Sequence, residues 1–421
     1  MYCGNCFRDN ALVAALRKLG HQTLMVPLYL PMTLDEEDQS AGTPTFFGGV
    51  NVYLEQKSAF FRHAPKWLHS LLNSPALLKF AAGRAAKTRA EDVGDLTISM
   101  LRGEEGNQAR ELDELIAWLK TQPKPDVICL SNAMLAGLVR KLKCELRAPV
   151  VVMLQGEDAF LDSMPEPVRT EVWRTLAERV AEADLFIAPS RYFGDRMAKR
   201  LNLPGDKVKV VYNGINLEGY GETSNVQRPT FNVQNLGYFA RMCKEKGLDV
   251  LIEAFILLKQ RGKVPALKLQ IGGGCGPGDE PFVNQLKQRL QSAGVLGDVE
   301  FHPNLTREQK LEFLRSLTVF SVPANYGEAF GLYVIEALAS GVPVVQPRTA
   351  SFPELVEATG GGVLCEPSSV PELAGAIEQL LLNPDTLQAL ADTGRKAVQE
   401  KFSIERMTQE MVRALQSLSR S

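Results

Sequence analysis

Two glutamates eight positions apart, Glu328 and Glu336, flank a strand-to-helix turn in the run Tyr326-Gly327-Glu328-Ala329-Phe330-Gly331-Leu332-Tyr333-Val334-Ile335-Glu336-Ala337-Leu338-Ala339-Ser340-Gly341-Val342-Pro343-Val344-Val345. Glu328 sits in a glycine-flanked loop, and Glu336 lies on an apolar helix that Gly341-Val342-Pro343 ends before a buried strand. Such a loop leaves backbone N–H groups free to approach an anion, while the carboxylates can accept from hydroxyls. With 49 acidic residues in 421, about six acidic pairs occur by chance at any one spacing, so the spacing alone carries no weight. Read by themselves, Glu328 could be a loop carboxylate capping the next helix and Glu336 a solvated helix position. A second run, Leu236-Gly237-Tyr238-Phe239-Ala240-Arg241-Met242-Cys243-Lys244-Glu245-Lys246-Gly247-Leu248, leads into the apolar helix Val250–Leu258. Its basic residues Arg241 and Lys246 could each make a charge-assisted hydrogen bond contributing about 1.5–3 kcal/mol. Lys244 beside Glu245 reads as a solvated face.

The elements that must hold these residues alternate regularly. Apolar strand-like runs at Thr23–Leu30, Val127–Leu130, Val150–Leu154, Leu185–Ala188 and Val208–Tyr212 are separated by amphipathic segments. A second series follows at Asn235–Phe239, Leu267–Ile271, Val299–His302, Val319–Val322, Val342–Val345 and Gly362–Leu364. Strand and helix in alternation predict an α/β chain with two Rossmann-like, doubly wound parallel-sheet domains, and ligand in the crevice at the carboxyl ends of their strands. The polar stretch Glu218–Pro229 marks the break.

A length of 421 residues with 45% hydrophobic and 23% charged content suits two domains of about 200 residues. The net charge of −2 gives no general attraction to nucleic acid. Seven scattered cysteines, several inside apolar runs, fit a reducing cytoplasm. Cys3-Gly4-Asn5-Cys6 could be half of a zinc site or a redox pair, but no second pair and no clustered histidines accompany it, so no metal is expected. No run is long enough for a membrane span, and the first residues do not read as a signal peptide.

The two runs around Glu328 and Arg241 together resemble the GT4-type retaining glycosyltransferases (group 1), enzymes of the two-domain GT-B architecture whose domains face a cleft, and the likeness extends over nearly the whole chain. The resemblance implies a carbohydrate-biosynthetic hexosyltransferase-like enzyme that moves a sugar from a nucleoside-diphosphate sugar to an acceptor hydroxyl. It implies that Glu328 contacts the donor sugar, that the Ala329-Phe330-Gly331-Leu332 backbone approaches sugar and phosphate, and that Glu336 holds the ribose hydroxyls. Arg241 and Lys246 would bind the diphosphate and stabilise the leaving group, making Glu328, Arg241 and Lys246 the catalytic set, with no cofactor and no metal required. Base selection would fall to backbone around His302-Pro303-Asn304. In this frame residues 1–217 form the acceptor-side domain with a helical insertion at about 56–120, 218–230 the linker, 231–400 the nucleotide-sugar domain, and 401–421 a helix crossing back, its stripe Met407, Met411, Leu415 and Leu418 capped by Ser403.

Several stretches depart from that pattern. The family's opening loop follows a central strand, whereas this chain opens on Tyr2-Cys3-Gly4-Asn5 ahead of helix Arg8–Leu19; a missing N-terminal first strand is therefore expected, with Gly4 as the remnant of the phosphate-approaching loop. In Val150-Val151-Val152-Met153-Leu154-Gln155-Gly156-Glu157-Asp158, Gln155 replaces the family's histidine; it can hydrogen-bond a sugar hydroxyl but cannot titrate near neutral pH. Glu157 and Asp158 are acceptor-side candidates or a loop cap. The run Gly272-Gly273-Gly274-Cys275-Gly276-Pro277-Gly278 fails the dinucleotide register and is read as a loop near base or phosphate. From Phe60 to Arg89 there are six Lys or Arg and no acid. This segment is either a peripheral contact with anionic lipid or a lipid-linked acceptor at the inner membrane face, or a packed acceptor-side insertion with solvated cations. The rival functions are a degenerate sugar-nucleotide-binding protein and a sugar-nucleotide epimerase, the latter disfavoured by the scarcity of titratable groups in the first half.

Overall fold

The computed structural model describes residues 4–29, 36–48, 52, 55–56, 90–220 and 233–420. The basic segment 60–89 and most of the polar break, 221–232, lie outside them. The chain divides into two compact units, one of residues Asn213–Met407, the other of the residues up to Tyr212 with those from Thr408 onward.

The first unit in the chain holds a parallel sheet of β1 (Ile128–Leu130), β2 (Val150–Met153), β3 (Leu185–Ala188) and β4 (Val208–Val210), in that order. Its centre is set by the β-branched run Val150-Val151-Val152, buried on both faces as a strand between parallel neighbours must be. β1 stands at an edge with Ile128 half-buried and Cys129 exposed. Helix Gly4–Lys18 begins four residues earlier than the sequence suggests, and ends where the His21 N–H reaches back to Leu16 O across Gly20 at φ +86°. The expected strand Thr23–Leu30 does not form over its described residues, 23–29. Its described residues pair only through the bridge Leu28–Phe46, and Leu24 is 47% exposed. An apolar extended run becomes a strand only beside a partner edge, and Pro27 removes one of its ladder donors.

The second unit carries β5 (Gln234–Phe239), β6 (Leu267–Gly273), β7 (Val299–Pro303), β8 (Val319–Phe320), β9 (Val344–Pro347) and β10 (Gly362–Cys365), all parallel, in the order β10-β9-β8-β5-β6-β7. The chain runs outward from β5 through β6 and β7, then returns to lay β8 on the other side of β5. The switch in direction therefore falls between β5 and β8, and the loops leaving their carboxyl ends splay apart there. Leu236, Leu269, Val319, Phe320, Val344 and Val345 are fully buried in this sheet. Near the end of the chain, helix Ile404–Gln416 is capped as expected, Ser403 Oγ accepting from the Arg406 N–H at 3.2 Å, with Met407 and Met411 buried. Among the described residues no helix is long and apolar enough to cross a membrane.

Candidate active site

In the second unit the loops on either side of the switch point bring Lys246 of one predicted motif against Glu328 of the other. After β5 the chain runs through Arg241 into a short 3-10 turn, Lys244–Lys246, which Gly247 ends at φ +70°. A Cβ on Gly247 would lie 1.9 Å from the Pro323 carbonyl oxygen, so only glycine lets this turn press against the loop after β8. That close approach sets Lys246 beside Glu328. Lys246 Nζ lies 2.5 Å from Glu328 Oε2 and 2.6 Å from the Tyr326 hydroxyl.

Glu328 is buried, and its Oε2 also accepts from the Tyr333 hydroxyl at 2.7 Å and the Tyr326 hydroxyl at 3.1 Å. Burial pushes this carboxyl up. The charge and hydrogen bond of Lys246, joined by the hydroxyls of Tyr333 and Tyr326, overcome that and hold it below the ordinary carboxylate range. The loop behind it is pinned from the β9 side, where Ser351 donates through its N–H to Glu328 O and through Oγ to Phe330 O. Ala329 and Phe330 are buried, and Gly331, at φ +90°, turns the chain into helix Leu332–Ala339.

Glu336 lies one turn along that helix. Its Oε1 accepts from Lys310 Nζ at 2.8 Å and from the Tyr220 hydroxyl at 3.3 Å. Lys310 comes from helix Arg307–Arg315, which a capping box at Thr306 and Gln309 starts. Tyr220 is delivered by residues 218–219, whose carbonyls accept from Arg307 and Arg315. Arg241 is the most open of the predicted cations, its side chain 66% exposed, and Asp279 fixes it with contacts of 2.8–3.2 Å. Asp279 is buried and also accepts the Gly276 N–H at 3.0 Å, tying the glycine-rich loop to Arg241. Asn304, at the end of β7, exchanges two hydrogen bonds with the Cys275 backbone across the same loop.

Lys246 and Glu328 therefore touch; Glu336 and Arg241 each stand on a partner of their own. Lys310, Tyr220 and Asp279 lie outside the two motifs, and Tyr333 lies inside the first without being singled out. Asp279 left a trace outside the motifs, as an acidic residue three places after Gly276 in a glycine-rich turn.

The remaining candidates belong to the other unit. Gly4 is the first residue of its helix. Gln155 follows β2, and Gly156, at φ +91°, opens helix Glu157–Asp162. Glu157 is buried with both oxygens taken, Oε1 by the Ala133 N–H at 2.7 Å and Oε2 by the Gln155 N–H at 2.8 Å. Of the two readings of Glu157, the loop tie is the one its contacts match. Burial pushes its carboxyl up in spite of those bonds. Asp158 Oδ2 accepts from Arg196 Nε at 2.6 Å. Among the described residues no group of three or more His, Cys, Asp or Glu side chains gathers as a metal site would require.

Residues 232–397 match the family model for glycosyl transferases group 1, and residues 80–218 that for glycosyltransferase family 4. The chain is 28% identical over 316 residues to a D-inositol 3-phosphate glycosyltransferase of Streptomyces coelicolor, covering 67% of each chain. It is 27% identical over 236 residues to an uncharacterised glycosyltransferase of Methanocaldococcus jannaschii, covering 54% of this chain and 58% of that one. The matches to these and similar curated relatives thus span from about half to 70% of their lengths. Among solved structures, Anabaena HepE in complex with UDP superimposes with a TM-score of 0.64 at 21% identity over 75% of this chain and 84% of its own. Sucrose-phosphate synthase from Thermosynechococcus elongatus does so with a TM-score of 0.63 at 20% identity over 74% and 79%. The two motifs, the two parallel-sheet units and these likenesses place the chain in the group 1, family 4 glycosyltransferases, with the GT-B fold.

Proposed function

We propose that this protein transfers a sugar, with retention of anomeric configuration, from a nucleoside-diphosphate sugar to an acceptor hydroxyl. The observation that carries the reading is the Lys246–Glu328 contact between the two motif loops at the β5/β8 switch point, with Arg241 on the same loop as Lys246 and Glu336 on the helix that follows Glu328. Two cations and two carboxylates match the parts of such a donor: the central diphosphate for the cations, and the sugar and ribose hydroxyls on either side of it for the carboxylates. The names of relatives and of solved neighbours, glycosyltransferases and a protein crystallised with UDP and with UDP-glucose, support the same donor class.

In this reading Arg241 and Lys246 bind the diphosphate. As the C1–O bond breaks, its electron pair passes to the β-phosphate oxygen, and the two cations stabilise the charge that grows there, without a metal being needed. The acceptor oxygen bonds to C1 on the face the phosphate leaves, and its proton passes to a phosphate oxygen, so no protein nucleophile takes part. Glu328 orients the sugar and Glu336 the ribose, which gives the enzyme its advantage through positioning. The test is to incubate the full chain with UDP-, GDP- and ADP-sugars and a panel of hydroxyl acceptors, following nucleoside diphosphate release and the anomeric linkage of product by NMR. An α-linked product from an α-donor, lost in Lys246→Met, is expected; an inverted linkage would overturn the retaining mechanism, release without product would favour a hydrolytic role, and donor binding with neither release nor product a sugar-nucleotide-binding role.

A further inference from the structure

The site as it stands contains a conflict. Lys246 must reach a donor diphosphate, yet its ammonium is engaged with Glu328 and Tyr326. When Lys246 turns away, a carboxylate only 8% exposed loses the cation facing it, and burial then favours uptake of a proton. A protonated Glu328 would lose part of its capacity to accept from a sugar hydroxyl.

Two phenols stand where they can prevent this. Tyr333 donates to Glu328 Oε2 from the first turn of helix Leu332–Ala339, its ring packed near Phe320 and Phe352. Tyr326 donates to the same oxygen from the loop. The Lys246 ammonium lies 4.9 Å from the ring centre of Tyr326 and 5.3 Å from that of Tyr333, so both rings also border its path. We propose that Tyr333, with Tyr326, is a positioning pair that keeps the Glu328 carboxylate charged and aimed while Lys246 moves to the donor diphosphate. This rests on the donor reading above.

The groups facing Glu328 are Lys246 from the loop after β5, Tyr326 from its own loop and Tyr333 from the following helix, with Tyr238 of β5 behind. Tyr238 is committed elsewhere, donating to Arg241 O at 2.8 Å. Burial, with the neighbouring Glu328 charge, pushes the Tyr333 phenol well above its ordinary value, so it remains a donor throughout the neutral range.

Infrared difference spectroscopy of the full chain at neutral pH, referenced to Glu328→Gln, reads the protonation of this one carboxyl directly. No protonated-carboxyl band from Glu328 is expected in the wild type, in Lys246→Met, or in the wild type saturated with whichever of UDP, GDP and ADP binds. The band should appear in Lys246→Met/Tyr333→Phe, and Tyr333→Phe alone, which keeps the ring, should move the acid limb of donor turnover to higher pH. A band in Lys246→Met alone, or on nucleotide saturation, would overturn the proposal, as would its absence from the double variant. If none of the nucleotides binds, the donor reading fails and the proposal falls with it. Binding accompanied by a protonated Glu328 sinks the proposal alone.

Discussion

Glu328 and Glu157 are both buried glutamates just past the carboxyl end of a parallel strand, one in each unit, yet they are held in opposite ways. Glu157 has its two oxygens on backbone N–H groups of Ala133 and Gln155, which cannot leave. Glu328 is held by side chains, a lysine and two tyrosines, which can. The chemistry of the partners separates a structural tie from an exchangeable site. Backbone donors fix loops, whereas an ammonium on a flexible stem can be traded for a ligand. The titration of the two carboxyls follows suit, since burial wins at Glu157 and the cation and phenols win at Glu328.

The sharpest break in this comparison should come from Lys246→Met, which leaves the fold's backbone contacts intact but removes the cation from the leaving group. Transfer is expected to fall by about 10²–10³-fold in steady-state turnover, the loss typical of one charge-stabilising donor. Gly247→Ala attacks the same contact through the backbone. Its Cβ would meet Pro323 O at 1.9 Å from a left-handed φ of +70°, and urea unfolding should show a loss of about 1–3 kcal/mol. Glu157→Ala should cost about 1–3 kcal/mol of stability by leaving one buried and one part-buried N–H group without an acceptor, with nucleotide affinity unchanged. A fall in nucleotide affinity in that variant, with stability intact, would remove the distinction drawn between the two glutamates.

The smallest effect is on pH dependence, and the two residues should give opposite slopes. Glu328 is depressed in the folded protein, so its contribution to stability is present above the ordinary value of 4.5 and is lost as pH falls through its lower folded value. Glu157 is raised, so its contribution is full below 4.5 and is lost as pH rises through its higher folded value. Urea unfolding across the acid range should show the first slope disappear in Glu328→Gln and the second in Glu157→Ala.

Much of the second unit was legible in the sequence, because its strands are continuous apolar runs bounded by glycine and proline, and because Glu328, Glu336, Arg241 and Lys246 sit in local motifs. The partners of those residues were not legible. Asp279 meets Arg241 across 38 residues, Lys310 meets Glu336 across 26 and Tyr220 meets it across 116, distances over which only the sheet order decides who is adjacent. The first unit read less well for a similar reason. Thr23–Leu30 has the composition of a strand, but strand formation is a property of a pair, and its described residues find no ladder. Glu157 and Asp158 read in the sequence either as acceptor-side residues or as a loop cap; the folded chain places the first in backbone ties and sets Arg196 on the second.

The central claim is that the loops at the β5/β8 switch point form a nucleotide-sugar site. It is tested most directly by the thermal stabilisation of the full chain with UDP, GDP and ADP, alone and as sugar conjugates, with Arg241→Ala and Glu336→Gln alongside. A nucleotide at 100 times its dissociation constant should add about 2.7 kcal/mol, seen as an upward shift with one base that both variants lose. A shift that survives in both variants would place the nucleotide elsewhere, and no shift with any of the three would contradict the account.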